Sequence, residues 1–480
     1  MKRFVPFIAV AFFSLLQSCN DFLDIKPKGI LIPEFYDDYV RLLNYKTLMY
    51  ADEAYLNYLS DDILLGEKTL LVGQLEQAQE HQQNLYKFEK GAILSKGMTD
   101  NLWEAAYKRI YTFNVVINNV LSCPDGTLTE KKALQAQARV NRAFEYLTLV
   151  NIYGKHYDAQ TSKADLGVPI ITSEDINNSY TRNSVQEVYD FILKEVNESY
   201  EFVPDRSSNK FYPTKQFLNG FMAKIYLYMG DYDSAKKYAE LALAAEIKLL
   251  NLTEYSINPK ANGFGRIYNA TTEKSFPDIF ENDENIFARN GNNMVGMSRN
   301  SYVSKDLLQV YAKDLPVNAI DQRRALYLSD NSFKLYNNNY LFPGKSMWVP
   351  YYNVNSGLSS PEIYLILAES LARLDLTDEA LKLVDKLRNN RIINNQPLPR
   401  TTAEDALRIV LEERRREFAF QGSIRIIDLK RLNKDDRFKK DIVHTCGTES
   451  WTLPANDDRY IIPIPPKVLS ENPSIPVYNR

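Results

Sequence analysis

Two stretches of this chain repeat one spacing, and that repetition limits the folds open to it more than any other feature. In residues 219–245, NGFMAKIYLYMGDYDSAKKYAELALAA, small Ala223 precedes Tyr226 and Gly230 breaks the helical period. Tyr232 follows the break, and Ala235 and Ala242 then share a face. In residues 362–390, EIYLILAESLARLDLTDEALKLVDKLRNN, Ala368, Leu371, Ala380 and Leu387 hold the matching offsets. Each stretch predicts two helices joined by a tight turn, with small residues where the partners approach closely. Ser360-Pro361 reads as an N-cap with a first-turn proline, and Thr377 as the cap of the second helix. Neither hairpin can bury its apolar face alone, so such units must stack on neighbours.

Small residues facing aromatic ones at this spacing resemble tetratricopeptide units. A further hairpin is predicted upstream. In 102–121, LWEAAYKRIYTFNVVINNVL, the residues Trp103, Tyr107, Ile110, Asn114 and Ile117 fall on one face. Residues 129–153, TEKKALQAQARVNRAFEYLTLVNIY, open on an acidic first turn and end at Gly154, and the turn Cys123-Pro124-Asp125-Gly126 separates the pair.

Between the repeats the periodicity fades. Residues 251–358 contain NPKANGFGRIYNATTEKSFPD, ARNGNNMVGMSRNSY and LYNNNYLFPGKSMWVPYYNVNSGLSS. Loops of this length inside a domain are functional or disordered, and their aromatic content argues against disorder. They predict a folded, loop-rich lobe laid on the helical scaffold, and the ligand surface is expected there.

The amino terminus sets the compartment. Met1-Lys2-Arg3 is a basic head, and Phe4–Leu16 is an uncharged run. As a helix that run would reach only about 20 Å, short of a hydrocarbon core, so it reads as a signal h-region. Its close, Leu16-Gln17-Ser18-Cys19, resembles a lipoprotein signal box, in which Cys19 becomes the lipidated first residue. Lipid chains at Cys19 would anchor the protein without a transmembrane helix. Residues 20 to 36, with two prolines and no helical period, read as a tether. The expected division is a signal peptide at 1–18, a lipidated extended tether at 19–36 and one domain at 37–480. Within that domain the helical scaffold takes 37–250 and 359–480, and the lobe takes 251–358.

A net charge of −3 from 58 basic and 61 acidic residues gives nucleic acid no purchase. His81, His156 and His444 lie far apart and no CxxC pair exists, so neither a metal nor a cofactor is expected. Cys123 and Cys446 are either bridged or two free thiols, the second being the preferred reading. Residues 408–425 read as one basic helix in which Arg414, Arg415 and Arg416 suggest an anion site, but Glu412, Glu413 and Glu417 interleave with them. A semi-buried salt-bridge network tying the C-terminal segment to the scaffold is the better reading.

Taken in order, these segments resemble the SusD/RagB family of outer-membrane lipoproteins. The matching residues are Cys19-Asn20-Asp21-Phe22-Leu23-Asp24 with Lys26-Pro27-Lys28-Gly29, then Trp103-x3-Tyr107-x2-Ile110-x3-Asn114, AQARVNRAFEYLTLVNIYG at 136–154, and Gly167-Val168-Pro169. SPEIYLILAESLAR at 360–373, LRIVLEERRREFAFQG at 407–422, Asp428-Leu429-Lys430-Arg431 and Tyr460-x2-Pro463-Ile464-Pro465 with Asn472-Pro473 complete the series. Two places depart from the family pattern. Gly154-Lys155-His156-Tyr157 stands where the family often writes Gly-Asp-x-Pro, and Ala106 stands where a polar residue is common.

The resemblance implies a mainly α fold: a tetratricopeptide-like helical-repeat scaffold with a loop-rich variable lobe, docked as a lid on a SusC-like TonB-dependent transporter. It implies capture of a glycan, with a peptide as the alternative cargo, and no enzymatic activity. A surface glycosidase is the contrary reading, but no GxSxG, HExxH or phosphate-cradling glycine loop is present, and no carboxylate pair stands out. With 32 Tyr, 23 Phe and 3 Trp, the expected site is a shallow surface where aromatic faces lie along sugar rings. Trp348 with Tyr351 and Tyr352 is the leading cluster. Tyr302 and Trp103 are secondary, Trp103 reading more often as a helix-packing residue, and Trp451 is held in reserve.

Overall fold

The computed structural model describes residues 33–68, 73–175, 180–245, 247–258, 261–262, 265–291, 301–335, 337–349 and 354–480. Its scaffold is built from helices that follow one another as hairpins. A short helix α1 (Tyr36–Leu43) and a second, α2 (Glu80–Tyr86), precede the first long pair, α3 (Asn101–Asn119) and α4 (Leu128–Tyr153). A capping box starts α4: Thr127 Oγ1 accepts from the Glu130 N–H, and the Glu130 carboxylate accepts from the Thr127 N–H at 2.8 Å. Asn114 holds the pair to the following segment, donating to the carbonyls of Ile171 and Ser173 and accepting from Arg142.

Helix α5 (Val185–Ser199) packs on α4, and the two repeat units follow. In the first, α6 (Lys215–Met229) ends at Gly230, whose φ of 76° is the left-handed conformation a β-carbon disfavours. Asp231 then caps α7 (Tyr232–Leu243), and Tyr232 meets Arg373 of the second unit at 4.8 Å. Between the two units lie α8 (Lys305–Ala312) and α9 (Gln322–Tyr327). The second unit is α10 (Ser360–Arg373) with α11 (Thr377–Arg388). Helix α10 packs against α7 on one side and against α11 and α12 (Ala403–Glu417) on the other. Ala223, Ala235, Ala242, Ala368 and Ala380 are all fully buried at these seams, which is the stacking that the repeat spacing requires.

Three local expectations shift. The N-cap position of α10 is Ser359, not Ser360, whose hydroxyl instead donates to the carbonyls of Lys248 and Glu284. Thr377 is the first residue of α11, and Leu376 stands at its cap without a side-chain bond. The basic stretch 408–425 is not one helix. Phe420 and Gly422, both at positive φ, turn the chain between α12 and α13 (Ile424–Leu432).

The described residues between the two repeat units form a loop-rich lobe that carries α8, α9 and short two-stranded ribbons. The longest ribbon pairs Leu328–Leu335 with Asn338–Trp348 in antiparallel register, with an irregularity between Leu341 and Ser346. Helix α12 staples this lobe to the scaffold. Glu417 takes Arg391 and Arg323, Glu413 takes Arg323 and Arg416, and Arg415 reaches Asp62 and Asp306. The network expected from the interleaved charges is therefore present, more deeply buried than semi-buried, and it reaches the lobe as well as the C-terminal segment. Cys123 and Cys446 are free thiols. A last short helix, α14 (Pro466–Glu471), lies near the C-terminus. Among the described residues no helix is long and apolar enough to cross a membrane.

Candidate functional site

Among the described residues, the aromatic candidates named from sequence do not form a surface platform. Trp348 is 5% exposed and packs on Phe420 with ring centroids 5.3 Å apart. It borders a cavity of about 120 Å³ beside Tyr327, Arg391 and Glu417, below the usual size of ligand pockets. Tyr302 is 1% exposed. Its ring lies on Gly73, where an added β-carbon would come within 2.7 Å of it. Trp103 is also buried, edge-on to Tyr153 at 4.8 Å. Burial of Trp348 and Tyr302 corrects the expectation of exposed stacking faces, since strand pairing and the scaffold cover them, and burial of Trp103 is its helix-packing reading rather than its ligand-binding one. Tyr351, Tyr352 and Cys19 lie outside the described residues. Trp451 is partly buried beside Tyr86.

The structure offers a larger opening elsewhere, a cleft of about 560 Å³ at the N-terminal end of α3, within the size range of ligand sites. Asp100 organises it. As the N-cap of α3 it accepts from the Leu102 N–H at 3.0 Å through Oδ1. Its Oδ2 accepts from the hydroxyls of Tyr55 at 2.6 Å and Tyr153 at 2.8 Å. Burial raises the Asp100 pKa, and the two tyrosine hydroxyls and the Leu102 amide pull it partly back. Both carboxylate oxygens are thus occupied. Trp103 stands behind this wall, where it sets the Tyr153 ring, so the sequence-named tryptophan supports the cleft without lining it.

Opposite Asp100, the N-terminal turn of α2 supplies Gln79, His81 and Gln82. Gln82 Oε1 accepts from the Gln79 N–H at 3.1 Å, which leaves its amide NH₂ as a donor with no partner among the described residues. His81 meets the Tyr55 ring edge-on at 5.6 Å, and burial lowers its pKa, so it is a neutral imidazole able both to donate and to accept. The loop 93–101 forms the remaining side. It is braced by Asn84 donating to the Ile93 carbonyl at 2.9 Å, by Ser95 donating to Glu80 at 2.6 Å, and by the Lys467 N–H of α14 donating to the Met98 carbonyl. Met98 and Asn101 are exposed at the mouth.

On the floor, the Tyr58 side chain is fully buried, yet its hydroxyl has no hydrogen-bond partner among the described residues. An unpaired buried hydroxyl at a cleft floor is a group awaiting a partner. The lining therefore joins amides, hydroxyls, an imidazole and the carboxylates of Asp52 and Asp100 to the apolar surfaces of Tyr55, Leu94 and Met98, and no lysine or arginine belongs to it among the described residues. Sequence reasoning missed it because no residue here belongs to a catalytic or ligand motif. Its traces are the glutamine-rich run at 74–83 and the aspartate directly before the α3 signature.

Comparison with known proteins places the fold. Residues 21–227 match a family model described as "Starch-binding associating with outer membrane", and residues 361–477 match one described as "SusD family". "SusD-like protein P2" of Formosa agariphila is 25% identical over 99% of this chain and 99% of its own. A solved SusD superfamily protein from Bacteroides thetaiotaomicron aligns with a TM-score of 0.68 at 19% identity, over 93% of this chain and 100% of that one. A SusD-like carbohydrate binding protein from Bacteroides vulgatus aligns at 0.64 and 18%, over 92% and 98%.

Proposed function

The chain belongs to the SusD/RagB family, and from that premise we propose that it captures a glycan at the α3 cleft and passes it to a SusC-like TonB-dependent transporter in the outer membrane. The observation that carries this reading is the cleft itself, whose floor hydroxyl at Tyr58 is unpaired among the described residues and whose walls carry amides on an apolar base. Sugar rings present hydroxyls at their edges and C–H faces between them, and this lining complements both. Its contacts are few and each is modest, which suits a protein that must let its cargo go.

Capture without chemistry fits the same geometry. A general acid needs a carboxyl oxygen free to reach the leaving group, and both oxygens of Asp100 already accept hydrogen bonds. Lipid at Cys19 would hold the chain at the membrane through the segment preceding residue 37, leaving the domain free to sit on the transporter.

The test is a glycan profile of purified protein carrying Cys19→Ala. Depletion of one class of neutral oligosaccharide without release of reducing ends is the expected result. Binding should fall about tenfold in Gln82→Ala combined with Asn101→Ala, whose side chains lie at the cleft and outside the core. Sustained release of reducing ends, abolished by a single carboxylate substitution, would make the protein a glycosidase.

A further inference from the structure

The turn 154–157, where the chain departs from its family's usual pattern, closes one side of a second cavity, of about 100 Å³, that shares no lining residue with the capture cleft. Lys155 and His156 from this turn line it together with Lys430, Asn433 and Lys434 of the α13 region and Tyr460 near the C-terminus. Lys430 is buried, and its ammonium donates to the Asn151 carbonyl at 2.5 Å and the Gly154 carbonyl at 2.6 Å. Those bonds close the C-terminal end of α4 and account for its structural role. They use two of three ammonium hydrogens, and no carboxylate among the described residues pairs with it. A buried cation without a counter-ion is costly.

Three more buried polar atoms on the cavity lack a partner among the described residues: His156 Nδ1, Asn433 Nδ2 and the Tyr460 hydroxyl. The Asn433 amide lies beside the Tyr460 hydroxyl without completing a hydrogen bond to it. His156 meets the Tyr228 ring edge-on at 6.5 Å, and burial, with Lys430, Arg431 and Lys434 nearby, holds its pKa well below the ordinary value, so its neutral ring can offer the unpartnered Nδ1 as an acceptor. Lys155 and Lys434 stand at the rim, in long pairs with Asp165 at 3.3 Å and Asp158 at 3.6 Å, and Lys155 also lies over the Tyr478 ring at 5.4 Å. Asp457 is committed to Arg459, and Asp458 also lines the cavity. The unbalanced charge is therefore Lys430, inside, rather than a general basic patch.

We propose that this cavity is an oxyanion site, in which Lys430, Asn433 and Tyr460 donate to a phosphate or carboxylate group and His156 accepts a hydroxyl of the same ligand. Hydrogenphosphate and sugar carboxylates both offer that combination of charged oxygens and a hydroxyl. Burial brings the Lys430 pKa down to about 7, so the bound anion also keeps this lysine charged at neutral pH.

The experiment titrates the full-length chain in detergent with inorganic phosphate and, separately, with glucuronate, by calorimetry at chloride-matched ionic strength. Saturable one-site binding of either probe is expected, phosphate pointing to a free phosphate ligand and glucuronate to an acidic sugar. In Tyr460→Phe that binding should weaken about tenfold, the loss of one hydrogen bond to a charged group, while the melting temperature without oxyanion stays that of the parent. Lys430→Met should abolish binding, but it also uncaps α4, so Tyr460→Phe is the deciding variant. The proposal is overturned if neither probe saturates, if Tyr460→Phe binds as tightly as the parent, or if that variant melts well below the parent without oxyanion.

Discussion

Glu369→Ala should lower the stability of the folded chain by about 3–5 kcal/mol, the usual consequence of leaving buried charge unpaired. Glu369 is fully buried on α10. It accepts from Arg373 at 2.8 Å and from both terminal nitrogens of Arg431. Without it, Arg431 retains Asp428 and Arg373 retains the more exposed Asp435. These residues join the second repeat unit to α13, so their loss loosens two elements at once.

The same residue makes a pH-resolved comparison. Burial pushes the Glu369 pKa up, but Arg431 and Arg373 outweigh it and hold it at about 2, against an ordinary value of 4.5. A carboxyl whose pKa is depressed on folding stabilises the fold above its unfolded value and ceases to do so as pH falls through its folded one. The stability gap between the parent and Glu369→Gln should therefore be full above pH 4.5 and close towards pH 2, as read by urea melts. The subtraction is needed because Glu53, Glu195, Glu284, Asp62 and Asp100 are raised, chiefly by burial, and tilt the parent's curve the other way.

Trp348→Ala carries the second large effect, a loss of about 3–5 kcal/mol from the cavity left in the core. The indole belongs to the main buried cluster, packs on Phe420 and ends the long lobe ribbon. Glycan affinity per folded molecule should be unchanged, because the cleft at α3 draws no residue from that ribbon. Thermal melts and calorimetry on one preparation read both quantities. A variant that melts like the parent and loses binding would return the ligand surface to the lobe.

The contrast between Trp348 and the repeats shows which kind of information a single sequence carries. Helix pairing at 219–245 and 362–390 is local, so the offsets of Ala223, Gly230, Ala368 and Ala380 suffice to state it. Burial of Trp348 depends on Phe420, and burial of Tyr302 on Gly73, contacts made across distant segments. An aromatic in a loop-rich stretch reads the same whether it faces solvent or a scaffold. The helix break at Phe420 was hidden for a related reason. The charges of α12 and the apolar residues of α13 sustain one helical period across it, and only Gly422 hints at the turn.

The cleft was less legible still. Tyr55, Tyr58, His81, Gln82 and Asp100 come from a turn, a short helix and a cap, none of them at motif spacing, and of the other four only Tyr55 is hydrogen-bonded to Asp100 among the described residues. Trp103 lay one turn from the site in the sequence and was read for its own face, when its contribution is to position Tyr153.

The account turns on where the glycan sits, and hydrogen exchange with and without the oligosaccharide selected by the glycan profile reads that directly. Saturating ligand should slow amide exchange at 77–82 and 98–102, around the cleft, and leave the ribbon 328–348 unchanged. Slowed exchange confined to 328–348, with 77–82 and 98–102 unaltered, would contradict it.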